Sequence, residues 1–286
     1  MTFGLLTACR KEPITQESQL NSTVNLSDAA LSISILETGK SDCIIIDIDG
    51  NIVMIDTGLD QNGNQIVEFL EREGIETIDY LIISHLDQDH IGGADIIFDK
   101  VDVSTVIQPN YTRETHQYNE YIKALEKHDL NLIYLTEDFT FDLNGATFEI
   151  FAPLEEEYEL SNDYSLMTSL SYGEQNFLFA GDAETVRINE FLETNPSHYT
   201  LLKLPHHGKY CENIEELLAT ISPTYGIITC SDEEYADTEV LELLTDYEIQ
   251  TLLTSDGPIT IQSDGTSISV HQQLKKIISF GQKEAI

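Results

Sequence analysis

Positive charge is what this chain has least of. Fourteen lysines and arginines stand against 51 aspartates and glutamates in 286 residues, a formal charge of −37. Such a field repels polyanions unless bound metal or a local basic patch offsets it. No Lys/Arg run of the kind that tracks a phosphate backbone occurs, so no dedicated nucleic-acid-binding surface is expected; a small anion or a single phosphodiester stays open as a substrate. Cysteines are few and isolated. Cys43, Cys211 and Cys230 form no C-x-x-C pair, which argues against a zinc ribbon and for small core hydrophobes, with a disulfide between Cys211 and Cys230 left open. No stretch reaches the ~20 apolar residues of a membrane span, so any membrane attachment would be through lipid. Internal repeats and low-complexity tracts are also missing, and a hydrophobic content of 41% suits one compact domain with a large core.

The N-terminus carries Leu6-Thr7-Ala8-Cys9, the pattern at which bacterial lipoprotein precursors are cleaved before the cysteine, and the polar stretch 10–27 reads as a tether. Only Met1-Thr2-Phe3-Gly4 and Leu5 come before the pattern, fewer than the apolar stretch of about 7–15 residues that a signal peptide needs. Either the start lies upstream or the match is accidental. On the first reading, 1–27 is a tether and 28–286 a domain held outside the cytoplasmic membrane through a lipidated Cys9; on the second, the protein is cytoplasmic.

Hydropathy patterning predicts alternating strands and helices. Residues 31–36 alternate apolar and polar, and 43–48 and 52–55 are apolar runs around the turn signal Asp49-Gly50-Asn51. A helix over 61–73 closes at Gly74, a strand over 78–83 follows, then a helix over 92–98, a short strand near Val106 and a helix over 114–128 with Tyr118, Ile122 and Leu125 on one face. Strands are predicted over 147–151, 166–172, 177–180, 201–204, 225–229 and 251–254, with 173–176 as a turn. Helices are predicted over 184–192, 212–218 and 237–246, and a hairpin over 259–270 turns at Asp264-Gly265. Two mixed sheets facing each other with helices outside are the expected result.

Chemistry concentrates at three strand ends. Ser84-His85-Leu86-Asp87-Gln88-Asp89-His90-Ile91-Gly92-Gly93 packs two imidazoles and two carboxylates into six residues, the donors that borderline and harder divalent cations prefer. Gly181-Asp182 and His206-His207-Gly208 follow later strands, with Asn162-Asp163-Tyr164-Ser165 between them. Any one of these alone would read as a solvated loop or surface turn; in this order, each of the three following a predicted strand, they point to one metal site. His116, His128, His198 and His271 lack such company and are expected to be exposed. Tyr111, Tyr118, Tyr164 and Tyr210 read as packing residues, the last two beside site motifs. Loops 108–115 and 154–163 are the places where specificity would be set.

The order His-x-Asp-x-Asp-His-x-Gly-Gly, Asn-x-x-Ser, Gly-Asp, Lys-x-x-His-His-Gly resembles the metallo-β-lactamase superfamily, in particular the branch of ComEC-like competence-protein domains and phosphorylcholine esterases. The likeness spans roughly 28–272. It implies a four-layer αββα sandwich with its ligands gathered at one rim. It also implies two divalent cations: His85 and Asp87 on one, Asp89 and His90 on the other, Asp182 bridging, and His206 or His207 completing the shell. Charge alone favours cations, since Asp87, Asp89 and Asp182 would otherwise repel one another strongly. The expected chemistry is hydrolysis by water activated between ions ~3.5–4 Å apart, with Asp89 and Asp182 serving catalysis directly. Asp56, Ser84, Asn162, Ser165 and Lys203 are expected to orient the ligands.

Two departures bear on the metal. Many superfamily members have His where Asp87 stands, and many carry a further His near Asn162-Asp163. A harder ligand set brings manganese or iron into play beside zinc. Three function classes follow: hydrolysis of a phosphodiester such as an exposed nucleotide, lipid headgroup or phosphorylcholine-type decoration; hydrolysis of a β-lactam, lactone or thioester, disfavoured by Asp87; and a non-catalytic accessory lipoprotein.

Overall fold

The isoleucine-rich runs near the start of the domain are buried on both sides. In the computed structural model, which describes residues 29–194 and 197–275, β1 (Leu31–Ile35), β2 (Ile44–Ile48) and β3 (Asn51–Ile55) form an antiparallel meander. Ile44 and Ile46 face the space between two sheets, while Ile45 faces a layer of helices. A strand covered on both faces needs apolar residues at successive positions, which is why this stretch does not alternate.

The remaining strands complete two sheets. The first adds β4 (Thr77–Ile82), β5 (Asp102–Pro109), β6 (Asn131–Leu135), and at the other edge β14 (Ile259–Ser263) and β15 (Ile268–Gln272), in the order β15-β14-β1-β2-β3-β4-β5-β6. The second contains β7 (Phe139–Leu143), β8 (Ala146–Phe151), β9 (Met167–Tyr172), β10 (Gln175–Phe179), β11 (Leu201–Lys203), β12 (Tyr225–Ile228) and β13 (Gln250–Leu253), in the order β13-β12-β11-β10-β9-β8-β7. Each sheet is antiparallel in one half and parallel in the other: β3 to β6 in the first, β10 to β13 in the second.

Helices α1 (Gly63–Arg72), α2 (Gln88–Ile91), α3 (Ala94–Phe98) and α4 (His116–His128) belong to the first half of the chain, and α5 (Thr185–Glu193), α6 (Ile214–Ile221) and α7 (Thr238–Asp246) to the second. Three apolar clusters correspond to three interfaces: sheet on sheet around Ile33, Phe148 and Phe177, helices on the first sheet around Ile66, Leu81 and Ile97, and helices on the second around Ile188, Leu217 and Val240. The fold is therefore the expected four-layer αββα sandwich. Among the described residues no helix is long and apolar enough to cross a membrane. The Leu6–Cys9 pattern lies outside them.

Several local expectations change. Strands β6 and β7 were not expected: both are half exposed along much of their length and present weak apolar runs. Gln175 and Asn176, expected in a turn, open β10, so the β9–β10 turn is only Gly173-Glu174. Strand β5 is eight residues long, not a short piece around Val106. On α4, Tyr121 and Ala124 are buried with Leu125, and Tyr118 and Ile122 pack partly buried against the same core. His128 is half-buried against Asp99, 2.7 Å away. Cys43, Cys211 and Cys230 are free thiols, so the disulfide left open is not formed.

Far from the ligand-bearing strand ends, the β9–β10 and β14–β15 turns touch. Glu174 N–H donates to Gly265 O at 2.6 Å, and a Cβ on Gly173 (φ 59) would sit 2.2 Å from that oxygen. Gly145 (φ 81) has open space around it. Gly173→Ala should therefore destabilise by about 2–4 kcal/mol, combining strain and clash, against about 1–2 kcal/mol for Gly145→Ala. Urea denaturation checks this; equal losses would mean that the inter-turn contact carries no weight.

Candidate metal centre

Parallel strands of both sheets end at one rim, and each end contributes a polar side chain, the usual place for a site in an open α/β sheet. Directly after β3 comes Asp56, fully buried and left-handed (φ 59). Its Oδ1 accepts Ser84 N–H at 2.7 Å, and its Oδ2 accepts the Ser84 hydroxyl at 2.7 Å and His90 Nδ1 at 2.8 Å. An ionised carboxylate can only accept, so Nδ1 of His90 carries a proton toward Asp56, and Nε2 is the nitrogen left to face the cluster. Nε2 faces Asp182 Oδ1 at 3.4 Å.

His207 is held the same way from the second sheet. Its Nδ1 lies 3.0 Å from the carbonyl oxygen of Thr229, just beyond β12, leaving Nε2 3.2 Å from Asp182 Oδ2 and 3.5 Å from Asp89 Oδ2. The turn Pro205–Gly208 makes this possible: His206 (φ 45) and His207 (φ 54) are consecutive left-handed residues, a strain of ~1–3 kcal/mol each. One result is that the two histidines part. His207 is buried in the cluster, and His206 is half-buried with Nδ1 3.2 Å from Glu184 Oε1.

Asp89, His90, Asp182 and His207 thus offer ligand atoms that all lie within 4.8 Å of one another. His85 stands beside them, its ring centroid 4.1 Å from that of His90 and its Nε2 3.9 Å from Asp87 Oδ2. Asp87 sits at the outer edge, receiving the Ser161 hydroxyl at 2.8 Å and facing Arg113 Nη2 at 3.0 Å. Of the orienting residues, Ser84 and Asp56 act together on His90, and Ser165 Oγ accepts the Asp182 N–H at 3.1 Å. Lys203 Nζ reaches Gly181 O at 3.1 Å and Asp182 Oδ1 at 3.7 Å. Asn162 instead donates to Glu184 Oε1 at 2.9 Å and lies beside His206, on the rim and not against the four-residue cluster.

Asp42, which no sequence motif singled out, stands behind the cluster. Fully buried, it pairs with Lys203, accepts the Thr229 hydroxyl at 2.6 Å and lies 3.6 Å from His207 Nδ1. Its one sequence signal is an aspartate set against the apolar run that becomes β2. Arg113, Ser161 and Glu184 were missed as well, being ordinary loop or helix-cap residues until the fold assembles them. The Gly92-Gly93 pair has a steric explanation: a Cβ would lie 2.3 Å from Asp60 N at Gly92 and 2.4 Å from Thr57 O at Gly93. This close approach lets His90 O accept both Thr57 N–H at 2.7 Å and the Thr57 hydroxyl at 2.9 Å.

The electrostatics call for a cation. Burial alone would raise Asp182, but His207 and His90 hold it well below the usual carboxylate range. Burial pulls His90 and His207 down, yet Asp182 and its neighbours outweigh that and raise both. For His85 burial dominates and keeps the ring neutral. Among the described residues eight buried side-chain atoms lack a hydrogen-bond partner, and four stand at this centre: Nε2 of His85, His90 and His207, and Asp182 Oδ1; Asp87 Oδ1 is a fifth, but it faces Arg113. Each unpaired buried group costs roughly 1–3 kcal/mol. Three imidazole nitrogens and one carboxylate oxygen of this kind fit a bound divalent cation.

Asp56→Asn removes the charge that fixes the His90 tautomer while keeping the shape. Zn²⁺ affinity, measured by chelator competition, should fall about 10–100-fold with the fold retained; an unchanged affinity would show that Asp56 does not orient His90.

Comparison with known proteins identifies the family. The family model described as metallo-beta-lactamase superfamily matches residues 36–231. ComE operon protein 3 of Bacillus subtilis is 24% identical over 196 residues, which cover 67% of this chain and 25% of that protein. Recombination protein 2 of Haemophilus influenzae is 26% identical over 209 residues, 71% of this chain and 25% of that protein. This chain thus spans about a quarter of the length of the curated relatives it matches. Among solved structures, the metallo-beta-lactamase fold protein YhfI from Bacillus subtilis superposes with a TM-score of 0.56 at 10% identity, covering 82% of this chain and 99% of that one. With the matched segment running from the end of β1 past His207 to Ser231, the chain belongs to the metallo-β-lactamase superfamily.

Proposed function

We propose that this domain is a metal-dependent hydrolase of phosphodiesters, with two divalent cations, zinc first and manganese or iron as alternatives. The observation that carries this reading is the gathering of ligand atoms of Asp89, His90, Asp182 and His207 within 4.8 Å of one another, with Nε2 of both histidines and Asp182 Oδ1 buried and without a hydrogen-bond partner. Asp89, His90, Asp182 and His207 would hold one cation, and His85 with Asp87 would hold a second, sharing Asp182. Bound cations supply Lewis acidity and a nucleophile formed from water near neutral pH.

The chain's own residues do the rest. Asp56 and the Thr229 carbonyl fix the tautomers of His90 and His207, so both rings present Nε2 without reorganising. Ser165 and Lys203 set the position of Asp182 from its backbone and side chain. The rear of the site is dry, since His85, His90, His207 and Asp182 are all buried; Asp87 and Asp89 are partly exposed, so substrate must approach from their side. One wall of that approach is aromatic: Tyr111 accepts Leu86 N–H at 2.6 Å and stacks on Tyr164 with centroids 3.9 Å apart.

A phosphodiester is favoured over a lactam, lactone or thioester because Asp87 replaces an imidazole with a harder, anionic donor, suited to holding cations that grip phosphoryl oxygens. The large negative charge supports a small or singly exposed diester over a nucleic-acid duplex. The Leu6–Cys9 pattern supports a location outside the cytoplasmic membrane on a lipid tether.

Elemental analysis of purified protein, with release of nitrophenol from bis-p-nitrophenyl phosphate by wild type and Asp182→Ala, tests the proposal. Near two metals per chain, and activity lost in the variant, are expected. Metal-free protein that stays inactive after reconstitution would overturn the hydrolase reading in favour of an accessory role. Ranking glycerophosphodiesters against dinucleoside monophosphates by kcat/KM then separates a lipid headgroup from a nucleotide.

A further inference from the structure

Basic residues are rare here, yet two of them stand at the open side of the centre. Arg113 Nη2 lies 3.0 Å from Asp87 Oδ1, and Lys40 Nζ lies 3.5 Å from Asp89 Oδ2. Asp87 and Asp89 are the members of the ligand set that reach solvent, and the cations beside them are themselves partly exposed, Arg113 at 31% and Lys40 at 18% of the side chain. Lys203, in contrast, is fully buried and committed to Asp42 and Gly181. The first two therefore mark the mouth of the site and the third its interior.

Both sit on anchored backbone. Lys40 lies in a turn closed by the Thr38 hydroxyl donating to Ser41 O at 3.1 Å and the Ser41 hydroxyl donating to Thr38 O at 2.8 Å, and the following Asp42 N–H donates to Asp89 O at 3.3 Å. Arg113 lies between Tyr111, tied to Leu86, and Thr115, whose side chain caps α4 by accepting Tyr118 N–H. Each has one carboxylate partner among the described residues.

We propose that Arg113 and Lys40 form an anion-binding subsite flanking the metal centre, which takes the non-bridging oxygens of a phosphodiester; this rests on the function proposed above. An anion nearing a chain of charge −37 meets a repulsive field, which fixed cations at the mouth reverse locally. Guanidinium matches phosphate oxygens with two parallel donors, and the ammonium adds a point charge. Once Asp87 and Asp89 share their charge with bound metal, the positive charge of Arg113 and Lys40 is left to face the incoming anion.

The test is calorimetric titration of Zn²⁺-loaded full-length protein with inorganic phosphate, using wild type, Arg113→Met, Lys40→Met and Arg113→Lys, with metal content and melting midpoint measured on each. Phosphate affinity should fall roughly 10-fold in each Met variant, partly restored in Arg113→Lys, with metal content and midpoint unchanged. On a cleaved diester the loss should appear in KM and not in kcat. Wild-type phosphate affinity in both Met variants would overturn the subsite, as would a loss of metal in step with the loss of phosphate. Phosphate bound through these residues by a protein that cleaves no diester would sustain the subsite and overturn the hydrolase reading. Diester cleavage with unchanged KM in both Met variants would do the reverse.

Discussion

Buried negative charge at one rim is the constraint on which the rest of this structure depends. Asp42, Asp56 and Asp182 are all nearly inaccessible, in a chain that already carries a large excess of acid. Taking a carboxylate out of water costs several kcal/mol unless it is paired and fully hydrogen-bonded. Each is handled differently. Asp56 is saturated by Ser84 and His90, and Asp42 is neutralised by Lys203 and bonded by Thr229. Asp182 has close neighbours but leaves Oδ1 unpartnered. The first two make a rigid, satisfied frame, and the third is the atom that the frame holds ready for a cation.

The sandwich exists in a form that serves this frame. Because each sheet is parallel in one half, β3 and β4 from the first and β10, β11 and β12 from the second all end on the same side, and their following residues are Asp56, Ser84, the Gly181-Asp182 pair, the His206-His207 pair and Thr229. Three of the eight described non-glycine residues with left-handed backbone, Asp56, His206 and His207, lie there. Left-handed backbone at non-glycine residues persists where surrounding contacts over-determine it. The opposite end, where Gly173 meets Gly265, is tied by plain backbone contact.

Much of this was legible in the residues. The alternation of strands and helices followed from their periodicities, the four-layer arrangement from the family resemblance, and the ligand motifs were visible as polar clusters at strand ends. What could not be read was anything set by three-dimensional assembly. His206 and His207 are chemically identical, and only the left-handed turn decides which one enters the cluster. Asp42 looks like any turn aspartate before a strand until Lys203 arrives from another sheet 161 positions later. Asn162 was expected to serve the ligands and instead meets Glu184, because the 3₁₀ turn at Ser161–Tyr164 points it along the rim. Strands β6 and β7 escaped notice because edge strands bury too little to leave a strong pattern.

Anomalous diffraction from crystals of the protein loaded with Zn²⁺ tests the central claim most directly. The account predicts a peak bonded to Asp89, His90, Asp182 and His207, with a second within reach of His85 and Asp87, and His206 bonded to neither. Absence of a peak at this rim, or coordination through His206 in place of His207, would contradict it.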